Sequence, residues 1–458
     1  MSSLEKSFKK GNELELEIGN LAFGGKGVAR LGGFVIFVEG AVPGDRVRAV
    51  IVRSRPAYAE ARVLEVLNPS RSRIEPACSH FGDCGGCSWQ TLSYEEQLRY
   101  KQRQVSECLG HIGGLTGPAM DPPLAAEPLW RYRNKVEFSF AGPEDDIVLG
   151  FHKPGQWQQV VDIDDCLLHS RLTNRIRNHI RAWARGSGLP AYDQHRQTGF
   201  WRHLVLREGL NTGEVMVNIV TAAGEFPGRQ ELARELTRLF PSVVSILWSV
   251  NQTRASVAGG FPFSVLAGRD HIHENIGGLD LKVSPASFLQ TNTAMAGRLY
   301  LKALEYAGLA GDELVLDLYS GIGSIALLFA GGCRRVLGVE LMEQAVELAR
   351  ENALINRVEN TQFHCGKVRV ILKEPNLGQR PDLVVLDPPR AGASKKEVSR
   401  ILGLGAPRIV YVSCNASTMA GNARQLADGG YRLLRVGAVD MFPHTPHIET
   451  VALFQRES

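Results

Sequence analysis

At 458 residues, with 44% hydrophobic and 22% charged side chains, the chain has a globular composition and is too long for one ordinary core, so two or three domains are expected. Its net charge of +4 neither demands nor excludes a nucleic-acid partner, which leaves that question to local clusters. No run of about 18 apolar residues occurs. The amino-terminal MSSLEKSFKKGNELELEIGN has no apolar core of a signal peptide, so a cytoplasmic protein without a membrane span is expected.

Residues 8–68 alternate apolar and polar side chains between turns such as Gly-Gly and Pro-Gly-Asp, which predicts a small five-stranded, OB-like β-barrel. Such barrels commonly bind oligonucleotides. Arg46, Arg48, Arg53, Arg55 and Arg62, read as opposed only by Glu60, form the expected RNA-gripping face, with an ordinary solvated surface as the alternative.

The segment 69–284 opens with a cysteine cluster and continues as a mixed α+β domain, with VEFSF, IVLGFH, HLVLRE and EVMVNIVTA as strands. Between them SRLTNRIRNHIRAWARGSG reads as a helix carrying Arg171, Arg175, Arg177, Arg181 and Arg185. No acid occurs between Asp165 and Asp193, and spacings of four gather several arginines near one face. That face is a candidate phosphate contact or a plain exposed surface.

From 285 to 458 strands and helices alternate: ELVLDLYSG, RRVLGVE, NTQFHC, DLVVLDPP and RIVYVSCN with helices between, then YRLLRVGAVDMF and ETVALFQ. This βαβ pattern predicts a Rossmann-like α/β domain with its ligands at the carboxyl ends of the strands. DLYSGIGS runs from a strand through Gly321 and Gly323 into a helix, and the next strand ends at Glu340, where an acid can grip ribose hydroxyls. The third glycine of the dinucleotide fingerprint is missing, so a nucleoside-bearing cofactor other than NAD is expected. Asp387 closes the fourth strand before two prolines that stiffen the turn.

Cys414 ends a hydrophobic strand at the same mouth, and MFPHTPHIET brings Glu449 back beside His444 and His447. A buried cysteine is usually inert packing, but this position at the sheet mouth marks a nucleophile. Thiolate, carboxylate and nucleoside cofactor form a complete set for methylating uracil C5. Thiolate attack on C6 breaks the ring conjugation and makes C5 nucleophilic. A base must then remove the C5 proton before the thiolate leaves.

Through SFLQTN, DLYSGIGS, VLGVE, DPPRAG, YVSCN and FPHTPHIE the chain resembles the uridine-5 RNA methyltransferase family over nearly its whole length, and its amino-terminal barrel resembles a TRAM domain. The resemblance implies S-adenosylmethionine as cofactor, with Gln290, Tyr319, Glu340 and Asp387 binding it, Phe288 lining the pocket, Cys414 as nucleophile and Glu449 as proton acceptor. Some members carry Phe at the position of Tyr319 and Asn at that of Ser324. It further implies that Cys78, Cys84, Cys87 and Cys166 hold a [4Fe-4S] cluster, although spacing alone suits zinc as well. Cys108, Cys333 and Cys365 are expected as packing residues. The helix-forming stretch within 91–125 is expected to pack on the catalytic domain. RNA is the implied partner of a monomeric enzyme: 23S ribosomal RNA first, the T-loop of transfer RNA second, with the target uridine flipped from its stack. Cytosine-5 methylation is the nearest rival, but DPPR lacks the second cysteine which that chemistry brings. A nonenzymatic iron–sulfur RNA-binding protein is the rival from another class.

Overall fold

The computed structural model describes residues 8–373 and 380–457. Strands β1 (Glu13–Glu17), β2 (Asn20–Leu21), β3 (Gly27–Leu31), β4 (Phe34–Glu39), β5 (Arg46–Ser54) and β6 (Tyr58–Asn68) form one sheet in the order β1-β5-β6-β4-β3-β2. Six strands stand where five were expected, the added β2 being only two residues long. Alternation along β5 buries Val47, Ala49 and Ile51 and turns Arg46 and Arg48 outward, while Arg53, past a register shift after Ile51, is exposed as well. Antiparallel pairing with β1 sets glutamates against Arg46 and Arg48, while Arg53 faces Glu60, so Glu60 is not the sole opponent of the five arginines. Arg46 lies 2.7 Å from Glu15, and Arg48 lies between Glu13 at 2.9 Å and Glu65 at 2.7 Å. The expected basic face is therefore largely neutralised.

Helix α1 (Tyr94–His111) and the short β7 (Ala119–Met120) follow the cysteine loop. Next come β8 (Lys135–Ala141), β9 (Val148–Lys153), β10 (Gln156–Asp162), α2 (Arg171–Gly186), β11 (Trp201–Glu208), β12 (Val215–Thr221), α3 (Arg229–Leu239), β13 (Val243–Val250) and β14 (Phe263–Gly268). Their seven strands form a sheet ordered β10-β9-β8-β11-β12-β13-β14. The arginine face of α2 turns inward. Arg177 is fully buried and donates to the Asp164 carbonyl, while Arg181 bridges Asp162 and Asp164 at 2.7 Å each and Arg185 reaches Asp162 at 3.0 Å. The acids lie just ahead of the helix, at and beyond the end of β10, so this face is a structural clasp rather than a phosphate contact. Arg171 and Arg175 stay exposed.

The hairpin β15 (Ile272–Ile276) and β16 (Leu279–Val283) precedes α4 (Thr293–Ala307), β17 (Leu314–Leu318), α5 (Ser324–Ala330), β18 (Arg335–Glu340), α6 (Glu343–Ile355), β19 (Thr361–Cys365), α7 (Val368–Ile371), β20 (Leu383–Leu386), α8 (Lys395–Leu404), β21 (Arg408–Ser413), α9 (Ala416–Asp428), β22 (Tyr431–Val439) and β23 (Glu449–Arg456). The sheet runs β19-β18-β17-β20-β21-β23-β22-β7, parallel from β19 to β21, with β23 antiparallel to both of its neighbours. Its central strands are buried on both faces, as LVLDL of β17 shows. One face packs on Leu299 of α4, Ile325 of α5 and Val346 of α6. The hairpin residues Ile272, Ile276, Leu281 and Val283 belong to that same core, ahead of the boundary expected at 285. The other face packs on α8, α9 and on Val105 and Leu109 of α1. Among the described residues no helix is long and apolar enough to cross a membrane.

Candidate active site

The pocket is built at the carboxyl ends of the parallel strands. Tyr319 N–H donates to the Val339 carbonyl at 2.9 Å, and Asp387 N–H donates to Leu318 at 3.3 Å. Residues 319–323, Glu340 and Asp387 thus meet where a doubly wound sheet binds ligands. The turn needs left-handed backbone: φ is +67° at Tyr319, +54° at Gly321 and +87° at Gly323. A Cβ at Gly323 would also stand 3.1 Å from the Phe363 ring and 3.2 Å from Ala349, so glycine is required there. The Glu340 carboxylate accepts from the N–H of Gly321 at 3.0 Å and of Met342 at 2.9 Å, which fixes the acid beside the turn.

Gln290 is buried on the loop ahead of α4, and its carbonyl accepts from Asn134 Nδ2 at 2.9 Å. Two residues on, Asn292 caps α4 and donates to the Met441 carbonyl at 2.9 Å, which ties this loop to the one carrying Glu449. Phe288 on the same loop is 69% exposed.

Cys414 and Glu449 come together through register. β21 and β23 are antiparallel and their register ends with Ser413 opposite Thr450, so Cys414 and Glu449 are the residues flanking that last pair, Cys414 just past the end of β21. Glu449 is buried, and burial, then the Asp387 charge, pushes its carboxyl well above the usual range. Its Oε2 has no hydrogen-bond partner among the described residues. Burial, then Glu449 and Asp387, pushes the Cys414 thiol up to about 11, while Arg390 pulls the other way on both groups. Burial raises Asp387 to about 7, and burial, then the Asp387 charge, pushes Asp317 well above the usual carboxylate range. Asp317, Asp387 and Glu449 are thus held towards their neutral forms by burial and by the charges they would place beside one another. Asp317, and Arg390 beside these carboxyls, were not among the expected site residues. The acid before the glycine turn and the arginine that ends DPPR were their signals.

The loop from 440 to 449 is clamped from behind. Lys101 and Asp440 form a fully buried ion pair at 2.7 Å, and Lys101 also donates to the Phe442 carbonyl at 3.0 Å. Gln97 accepts from His444 N–H at 2.8 Å, and Trp130 stacks on the His444 ring at 3.6 Å. Burial, then Lys101, lowers His444 to about 4, and burial, then Arg390, does the same to His447, so both rings are neutral near pH 7.

Cys78, Cys84, Cys87 and Cys166 line one cavity of about 250 Å³, and none forms a disulfide. Burial raises Cys87 to about 12 and Cys166 to about 11. Among the described residues no group of three or more Cys, His, Asp or Glu side chains converges tightly enough for a single metal ion. The cysteine loop reaches the 440–449 loop directly, because Ser88 and Trp89 donate their N–H groups to the His444 carbonyl at 3.1 and 3.0 Å.

A doubly wound sheet with an acid-flanked glycine turn and a thiol and a carboxyl at adjacent strand ends defines the class: a Rossmann-like methyltransferase. Residues 269–457 match the tRNA (Uracil-5-)-methyltransferase family model, and residues 7–64 match the TRAM domain. An uncharacterized RNA methyltransferase of Halalkalibacterium halodurans is 37% identical over 456 residues, 99% of each chain. One from Porphyromonas gingivalis is 39% identical over 465 residues, covering 97% of this chain and all of the other. The Pyrococcus abyssi tRNA (uracil-54, C5)-methyltransferase, solved with S-adenosyl-L-homocysteine, superposes with a TM-score of 0.76 at 30% identity over 96% of this chain and 100% of that one. The chain belongs to the RNA (uracil-5-)-methyltransferase family and is an S-adenosylmethionine-dependent RNA (uracil-C5)-methyltransferase with an amino-terminal TRAM domain.

Proposed function

We propose that the enzyme converts a specific uridine of 23S ribosomal RNA to 5-methyluridine, with Cys414 as nucleophile and Glu449 as proton acceptor. The placement of these two residues beside the last β21–β23 pair at the cofactor end of the sheet, where the Glu449 charge acts on the Cys414 thiol, carries this reading. Gln290, Tyr319, Glu340 and Asp387 would hold the cofactor, whose bound form supplies an electrophilic methyl group. Cys414 Sγ bonds to uracil C6, and the C5=C6 electron pair moves into an enolate whose C5 takes the methyl. Glu449 then removes the C5 proton, the C6–S bond breaks and the ring double bond returns. Arg390 favours the charged forms of both groups and so opposes the burial that holds them neutral.

The four cysteines would hold a [4Fe-4S] cluster, since they frame a cavity rather than a point. The reaction transfers no electrons, so its role there is to brace the loop that meets His444. The domain limits that fit this reading are 8–68 for the TRAM-like barrel, 69–268 for the central part and 269–457 for the catalytic part, with 91–125 added to the last.

The ribosomal reading rests on the combination of an RNA-binding TRAM domain with the cysteine centre. Transfer RNA is the second reading, favoured by the likeness to the Pyrococcus abyssi enzyme. Nucleoside mass spectrometry of unmodified 23S and transfer RNA transcripts, each incubated with protein and S-adenosylmethionine, decides between them. 5-Methyluridine in the transfer RNA alone overturns the ribosomal assignment.

A further inference from the structure

The central sheet carries a second recess that methyl transfer does not use. It is a cleft of about 640 Å³ between β8–β10 and the loop 190–203. Ser139 of β8 and His203 of β11 are direct cross-strand partners on its wall, both buried. Ser139 Oγ lies 2.9 Å from His152 Nε2 and 3.3 Å from His203 Nδ1, so its one proton serves one ring while its oxygen accepts from the other. His152 Nδ1 is buried with no partner among the described residues. Burial, then Arg202, lowers His203 to about 4, which leaves the ring neutral. Arg202 is itself occupied, donating to the carbonyls of Asn251, Thr253 and Ala255 at 2.7–2.8 Å. The inner wall of Ser139, His152 and His203 therefore presents neutral donors and acceptors, while the cleft's other arginine, Arg196, lies exposed at the mouth, 3.9 Å from Asp193.

At the rim Trp157 is 55% exposed, with the His195 ring 5.7 Å away. An exposed aromatic face above a neutral hydrogen-bonding wall fits a planar, uncharged heterocycle. The cleft is also connected to the methylation site. Asn134, which holds the Gln290 carbonyl, lies at the start of the strand that carries Ser139, five residues or about 17 Å away. The Gly85 N–H of the cysteine loop donates to the His152 carbonyl at 3.1 Å, which braces the wall.

We propose that this cleft receives an unstacked nucleobase of the RNA substrate, a few nucleotides from the target uridine, with Trp157 as its stacking platform and Ser139, His152 and His203 as its hydrogen-bonding wall. The proposal rests on RNA being the substrate, but not on which uridine is methylated.

Trp157→Ala and Trp157→Phe in the full chain test it, because an exposed side chain can be changed without disturbing a core. Transcripts of 23S and transfer RNA carrying 4-thiouridine or 6-thioguanosine are photo-crosslinked to the protein and the adducts mapped. The expected adduct lies at residues 156–158 and comes from a nucleotide other than the methylated one. Trp157→Ala should raise KM for RNA about 5- to 150-fold, the usual worth of one stacked base, with kcat nearly unchanged. Trp157→Phe should restore most of the loss. Equal kinetics for all three proteins, or adducts confined to the methylated uridine, overturns the proposal. So does occupation of the cleft by free adenosine or uridine with no RNA adduct there. Crosslinks are read whether or not the RNA is methylated, so failure of the uridine reading leaves a different signature from failure of the cleft.

Discussion

The buried pair of Lys101 and Asp440 sets the stiffness of the catalytic loop, and Lys101→Met tests it. Lys101 Nζ meets Asp440 Oδ1 at 2.7 Å and the Phe442 carbonyl at 3.0 Å, with both side chains fully buried. Asp440 Oδ2 has no partner among the described residues, and without Lys101 the Oδ1 atom keeps the Phe442 N–H at 3.0 Å but no cation. Removing one member of a buried pair costs about 3–5 kcal/mol, because the other charge stays behind uncompensated. For a domain of 150–250 residues each kcal/mol moves the midpoint about 2–4 °C, so a drop of about 6–20 °C is expected. Thermal unfolding of the full chain reads that drop. Methylation kinetics at a temperature below the new midpoint should show a lower kcat, because the loop from 440 to 449 has lost its clamp. Lys101→Met with Asp440→Leu removes both charges and should recover most of the midpoint. A single variant as stable as the wild type, or a double variant no better than the single, would refute the reasoning.

Further outcomes follow from the pocket and the cysteine centre. Glu449→Gln keeps the nucleophile but loses the base, so turnover should fall about 10²–10⁴-fold while an RNA–protein adduct resistant to denaturant accumulates; turnover at the wild-type rate without adduct would contradict the role. Asp387 has a folded-state value of about 7 against an ordinary 3.8, so the stability it contributes is present below 3.8 and lost as pH rises through about 7. Asp387→Asn should therefore raise the thermal midpoint of the ligand-free protein at about pH 8 and abolish the gain produced by S-adenosylmethionine; calorimetric scans with and without cofactor check both signs. Anaerobically prepared protein should contain about four irons and four acid-labile sulfides per chain, and Cys87→Ala should lose them. Zinc in their place would overturn the cluster.

The parallel sheet was legible because its strands, buried on both faces, read as apolar runs such as VLDL and VVLD separated by helices. The positions of Cys414 and Glu449 at strand ends were legible too, since each borders such a run. Their adjacency was not. It depends on β23 inserting antiparallel between β21 and β22, and nothing local in the sequence states that order. The arginines misled for a related reason. Counting charges along α2 found no acid, but Asp162 and Asp164 lie ahead of the helix and fold onto it. In the barrel, Glu13 and Glu15 sit more than thirty residues from the arginines they neutralise. Lys101 was hidden in the same way, as an unremarkable lysine of α1 whose partner lies 339 residues on. Local periodicity reports which face is apolar; it does not report which charge waits across the fold.

The central claim is covalent catalysis by Cys414 at a uridine. Wild-type protein and Cys414→Ala are incubated with S-adenosylmethionine and the RNA transcript that serves as substrate, and nucleosides are then measured by mass spectrometry. The account predicts 5-methyluridine with the wild type and none with Cys414→Ala, which still binds the cofactor. 5-Methyluridine formed by both proteins would contradict it.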